Sequence, residues 1–162
     1  MLKSLKQGKL AESLVMEKVS SCGYDCKQVD GMFQDYDISC KQKDGDFVFT
    51  IEIKYDMMSD DTGNLAVEFF NSKSNKPSGI MATKADLWCF VVGSKNEIWI
   101  ARTVDIKAMM YKLTPIKIVT HGGDKNSSMM IYKKDDILTH MHRIDDKTID
   151  ETIGVICNLI SK

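Results

Sequence analysis

Three residues of this chain have types and spacing suited to one kind of chemistry: Asp37, Glu52 and Lys54. The dipeptide Asp44-Gly45 lies between two alternating apolar runs, 36–42 and 47–55, and predicts a two-residue hairpin turn. That turn pairs Lys43 with Asp46 and, counting outward, Ile38 with Ile51 and Asp37 with Glu52. Alternation then puts Ile38 and Ile51 on one face, and Asp37, Glu52 and Lys54 on the other. Directly opposed residues have Cβ atoms ~4.5–5.5 Å apart, so two like charges repel unless positive charge lies between them. Lys54 supplies part of that charge. A divalent cation supplies more, and Mg²⁺ favours one or two carboxylates completed by waters and substrate phosphate oxygens. The chemistry such a group suits is cation-assisted attack of water on a phosphodiester. An exposed hairpin face with a surface ion pair accommodates the same three residues.

A fourth carboxylate comes from the first helical segment, 4–22, which ends at Gly23. On a wheel of ~100° per residue, Leu5, Gly8, Val15, Met16 and Val19 fall within ~60° of Glu12. Glu12 is thus expected in the middle of an apolar face, where a carboxylate is costly unless paired, hydrogen-bonded or near a metal. Leu10 and Leu14 lie opposite, and a Glu at the stripe's edge would reach water.

Gly8-x-x-x-Glu12, then Asp37, then Glu52-Ile53-Lys54 resembles the PD-(D/E)xK nuclease superfamily. The order is similar to that of its resolvase-type branch, the small archaeal and phage Holliday-junction nucleases. The resemblance spans residues 8–102, with Tyr36 standing where the family motif has Pro. It implies an α/β fold of restriction-endonuclease-like type, a central mixed β-sheet flanked by helices. It also implies a Mg²⁺ ion, with Mn²⁺ as substitute, held by Asp37, Glu52 and the carbonyl of Ile53. Glu12 would complete the metal site directly or through water. Lys54 would orient or activate the attacking water and stabilise charge at the phosphate.

The rest of the sequence sets the bounds. With 162 residues, two Pro, 43% hydrophobic and 28% charged residues, residues 1–162 are expected to form a single soluble domain. No apolar run approaches a membrane span, and no signal segment opens the chain. Five cysteines, an odd number, favour a reduced, cytoplasmic setting. There is no Walker-type loop and no Gly-x-Gly-x-x-Gly, so a nucleotide cofactor has no support. Net charge is −1, but residues 35–61 carry −5 and residues 62–120 carry +4. Lys73, Lys76 and Lys84 in the basic stretch are candidate DNA-backbone contacts, or an ordinary solvated loop. Only Arg102 and Arg143 are Arg, so recognition of the phosphate path is expected over base reading.

Further strands are expected at 65–70, 87–92, 97–102 and near 129–132, with helices at 103–112 and 146–160. Residues 57–63 read as a polar connection. Glu68 reads as a further acidic site residue or as the partner of a lysine. The segment His121-Gly122-Gly123-Asp124 reads as a turn, and Met109-Met110-Tyr111 and the last helix offer contact surface for a homodimer or pack on the domain's own sheet, the second reading being the favoured one for the last helix. The function expected is a Mg²⁺-dependent DNA endonuclease selective for branched DNA. The alternatives are a sequence-specific homing or restriction-like endonuclease and a non-catalytic DNA- or protein-binding module.

Overall fold

The computed structural model describes residues 2–29, 35–122 and 126–161. The elements in chain order are α1 (Leu2–Ser21), β1 (Tyr24–Gln28), β2 (Ile38–Gln42), β3 (Val48–Asp56), α2 (Ser59–Thr62), β4 (Asn64–Asn71), β5 (Lys76–Pro77), β6 (Leu87–Val92), β7 (Glu97–Arg102), α3 (Thr103–Lys112), β8 (Lys117–Gly122), β9 (Ser127–Lys133), α4 (Lys134–Leu138), β10 (His142–Arg143) and α5 (Ile149–Ile160). Six strands form a mixed sheet in the order β1-β2-β3-β6-β7-β10, flanked by helices: the chain is a mixed α/β protein.

The hairpin register is the expected one. Ile38 pairs with Ile51, Ser39 with Thr50 and Cys40 with Phe49. β3 then pairs in parallel with β6, Glu52 lying beside Trp88 and Lys54 beside Phe90. All six residues of β6 are buried, as a strand covered on both faces requires.

Two cores lie on the two faces of this sheet. On one, α1 and α5 pack Ala11, Val15, Val19 and Ile156 against Ile38, Phe49, Ile51, Ile53, Cys89 and Val91. On the other, Trp88, Phe90 and Val92 pack against Leu65, Val67 and Tyr132, with Ile106 and Met109 of α3. Leu65, Val67 and Tyr132 belong to a second sheet, antiparallel and four-stranded, ordered β5-β4-β9-β8. The central mixed sheet flanked by helices is the expected one, and the second sheet stands beside it, built from the expected β4 and β9 with β5 and β8. Residues 57–63 are more than a connection, since α2 turns there and ends on Gly63 with φ +65°.

Three further expectations are corrected. Cys26 and Cys40 form a disulfide, because β1 lies antiparallel to β2 with these two directly opposite, Cα atoms 4.1 Å apart. Cys22, Cys89 and Cys157 are free. Met109 and Met110 are buried in the core under α3, so of the Met109-Met110-Tyr111 segment only Tyr111 is presented to solvent. The last helix starts at Ile149, where Thr148 and Glu151 form a capping box, and it packs on its own sheet through Ile156. Among the described residues no helix is long and apolar enough to cross a membrane.

Candidate active site

The site is built where the end of β2 meets the middle of β3. Asp37 immediately precedes β2, and its N–H donates to the carbonyl of Ile51 at 3.0 Å, which extends the hairpin ladder by one residue. Its Oδ2 accepts the N–H of Ile53 at 2.6 Å. Asp37 is thereby tied to β3 on either side of Glu52, through Ile51 and Ile53, while the paired register itself ends at Ile38 and Ile51. Glu52 is only 8% exposed. Its Oε1 accepts from Lys54 Nζ at 2.5 Å, and its Oε2 lies 3.3 Å from the hydroxyl of Thr83. Thr83 Oγ1 also lies 2.9 Å from the carbonyl of Asp35 and accepts the N–H of Ala85, so one buried hydroxyl ties the segment before β2 and the loop before β6 to Glu52. Lys54 Nζ stands 5.7 Å from the centre of the Trp88 ring, which limits its swing.

Electrostatics show the same clustering. Burial pushes the Glu52 carboxyl above the usual range and the charge of Asp37 adds to this, while Lys54 opposes it. Burial also raises Glu12, and again Asp37 adds to the rise. For Lys54, burial lowers the ammonium, but Glu52 and Asp37 outweigh it and hold it above the ordinary lysine value, with a smaller contribution from Glu68. Asp37 therefore acts on Glu12, Glu52 and Lys54 together.

Glu12 is not in the middle of the buried stripe of α1. Ala11, Val15, Val19 and Cys22 form that stripe, and Glu12 flanks it, roughly 60° from its centre, half-buried. The stripe is rotated from the expected face because Ala11 and Cys22 pack into the core, whereas Gly8 and Met16 are only half-buried. At the edge, Glu12 accepts a hydrogen bond from Gln28 at the end of β1.

Glu68 acts on Lys54 rather than standing apart, and it sits at a β-bulge where β4 shifts register against β9. Gly79, at φ +50°, packs directly onto it: a Cβ there would lie 2.4 Å from the Glu68 carbonyl oxygen. The three lysines are not gathered. Lys73 is in the turn between β4 and β5 and Lys76 is on β5, both exposed. Lys84 lies beside the site, 2.9 Å from the Asp35 carboxylate. Of the segment His121-Gly122-Gly123-Asp124, Gly123 and Asp124 lie outside the described residues. Thr83, Trp88 and Gln28 were not foreseen, since each reaches the site through strand pairing or a loop that carries no motif.

The donor set of Asp37, Glu52 and Glu12 is hard oxygen, which fits Mg²⁺ or Mn²⁺ and not a softer metal. Among the described residues no three His, Cys, Asp or Glu side chains converge as a closed metal cage. A two-carboxylate site completed by water and phosphate needs none.

Neither a family model nor a curated protein matches the chain. Among solved structures it is similar to a bacterial homing endonuclease, I-Ssp6803I, with 16% identity over 60% of this chain and 67% of that one, at a TM-score of 0.45.

Proposed function

We propose that the chain is a Mg²⁺-dependent DNA endonuclease of the restriction-endonuclease-like type. The observation that carries this reading is the convergence of Asp37, Glu52 and Lys54 on one sheet face, with Glu52 buried and bonded to Lys54. Asp37 and Glu52, with the carbonyl of Ile53, hold the cation, and Glu12 supports it from the helix edge. When bound, the ion polarises the phosphate and lowers the pKa of a coordinated water. Lys54 retains its proton between two carboxylates, so it acts as a donor: it orients the attacking water and meets charge developing on the phosphate oxygens. Thr83, whose hydroxyl lies 2.9 Å from the Asp35 carbonyl and 3.3 Å from the second oxygen of Glu52, flanks that side of the carboxylate.

We further propose that the substrate is read by shape, as in junction resolution, and not by base sequence. Both arginines are engaged within the chain: Arg102 is bidentate to Asp105, and Arg143 pairs with Glu97, Asp145 and Asp146. Neither is free for the bidentate guanine contact that dominates major-groove reading. Lysines remain, and they follow phosphates. A branched substrate with two symmetric strands calls for a homodimer presenting two sites. The test is Mg²⁺-dependent cleavage of a panel comprising four-way junction, flap, nicked duplex, linear duplex and single strand. Preferential cutting of branched forms supports the reading. Cutting of a linear duplex at one sequence moves it to a homing- or restriction-like enzyme, and no cutting of any form removes catalysis.

A further inference from the structure

A cleft of about 540 Å³ opens next to the carboxylate cluster, at the end of the large sheet where β3 and β6 begin. Thr83 belongs to both: it lines the cleft, and its hydroxyl lies 3.3 Å from Glu52. Apolar surface and cations meet in the walls. Phe47 and Val104 are 42% and 62% exposed, large fractions for such side chains. Val104 and Lys107 stand one turn apart on α3, and Lys84 lines the same cleft from the loop before β6. The recorded partner of Lys107 Nζ is the uncharged carbonyl of Thr83 at 3.3 Å. The acids nearby are engaged: Asp86 with Thr50, Asp35 with Lys84, and Asp105 with Arg102.

The ten-residue helix α3 begins in this wall, so its positive end adds to the two lysines. Thr103, the first residue of that helix, is 3% exposed, and its hydroxyl has no hydrogen-bond partner. That oxygen is closed off from the cleft, so what the first turn offers a phosphate is the positive end of the helix and not this hydroxyl. The volume is that of a site for one small ligand. A duplex, whose major groove alone is ~12 Å wide, does not enter it. An exposed aromatic ring beside cations is the arrangement that takes a single-stranded base on its face and the phosphate on the charge.

We propose that this cleft binds one unpaired nucleotide of the substrate strand, its base against Phe47 and its phosphate between Lys84, Lys107 and the first turn of α3. The inference rests on the nuclease reading of the neighbouring carboxylates, and it narrows the substrate to DNA with an unpaired or frayed base close to the scissile bond, as at a branch, flap or gap.

The test measures binding in EDTA, without turnover, so that it stands apart from cleavage. Fluorescence anisotropy compares a labelled oligothymidylate with a blunt duplex of equal length, for the wild type, Phe47→Ala and Lys107→Gln. Phe47 is exposed, so its removal spares the core, and melting curves verify that both variants are folded. The expected result is a loss of about tenfold in oligothymidylate affinity for each variant, the scale of one lost stacking or phosphate contact, with duplex binding nearly unchanged. Wild-type affinity in both folded variants overturns the cleft assignment, as does a wild type that does not bind oligothymidylate. If the variants lose single-strand binding while the wild type cleaves no DNA, the cleft stands and the nuclease reading fails. If the wild type cleaves while the variants bind normally, the reverse holds.

Discussion

Asp37 and Ile53 are joined by one short hydrogen bond, the Asp37 carboxylate accepting the Ile53 N–H at 2.6 Å, and a second bond, from the Asp37 N–H to the carbonyl of Ile51, holds Asp37 to the same strand two residues earlier. This clamp fixes the carboxylate against the residues that flank Glu52. Lys54, one residue beyond Ile53, is held in turn by Glu52. A change at Lys54 should therefore act on chemistry and not on the position of the carboxylates. Lys54→Ala is expected to slow cleavage ~10²–10⁴-fold under single turnover. Lys54→Arg should restore little, because a planar fork does not replace a compact ammonium over Trp88. Single-turnover rates for Lys54→Ala within threefold of wild type would remove Lys54 from the mechanism.

Stability should depend on pH and on divalent cations together. Glu12 and Glu52 are raised from 4.5 by burial and then by Asp37, and burial also raises Asp56 from 3.8. An acid whose folded pKa lies above its unfolded value contributes its full stability below the unfolded value and loses it as pH rises through the folded one. In EDTA the melting temperature should thus decline as pH rises above 4.5. Asp60 and Glu151, both lowered, act in the opposite sense at more acid pH. Mg²⁺ or Mn²⁺ should flatten the decline, and at a hundredfold excess over Kd should add about 2.7 kcal/mol. Glu52→Gln should blunt that gain. Calorimetry that finds no cation effect at neutral pH in the wild type would contradict the metal site.

Much of the site was legible in the sequence and some of the fold was not. The register of β2 on β3 is the expected one, but the turn is not the expected two-residue loop: the Gln42 N–H bonds the Phe47 carbonyl and the Gly45 N–H bonds the Gln42 carbonyl, so residues 43–46 form a four-residue loop that keeps the same register. β6 and β7 announce themselves by apolar runs and turn residues, and their bounds match. Glu12 stands at the edge of its stripe because Ala11 and Cys22, which the expected face left out, pack into the core and rotate it. The second sheet was hidden because β8, with only Ile118 and Val119 apolar, does not announce itself as a strand before the glycine turn. β1 reads Tyr-Asp-Cys-Lys-Gln, with one buried residue, and only its pairing with β2 makes it a strand.

The unforeseen β1 has a measurable consequence. The disulfide closes a loop between residues 14 apart and is expected to contribute about 3 kcal/mol, here between β1 and the strand that follows Asp37. Reduction, or Cys26→Ser, should lower the melting temperature by roughly 6–12 °C. Thermal melts with and without reductant that coincide would show that the bond does not form in the folded protein.

Gly79 should tolerate no side chain. It has φ +50°, and a Cβ would stand 2.4 Å from the Glu68 carbonyl oxygen and 2.8 Å from the Glu68 Cβ, both close to the backbone bulge of β4. Gly79→Ala is expected to cost about 1–3 kcal/mol in urea unfolding through strain alone, more if the bulge cannot yield. Gly23→Ala is a useful comparison, since that position shares a positive φ of +87° but has no atom within 4 Å. Equal losses at the two positions would show that contact with Glu68 is of no consequence.

The central claim is that the opposed pair Asp37 and Glu52 holds a cation that cuts DNA, and the most direct measurement compares the wild type with Asp37→Asn on one labelled four-way junction in Mg²⁺. Asparagine keeps the shape of the side chain and an oxygen that can accept the Ile53 N–H, and it removes the charge. The account predicts Mg²⁺-dependent cleavage by the wild type, abolished by EDTA and reduced at least about a hundredfold in Asp37→Asn, with junction binding and melting temperature in EDTA retained. Cleavage by Asp37→Asn at the wild-type rate, or cleavage by the wild type that persists in EDTA, would contradict it.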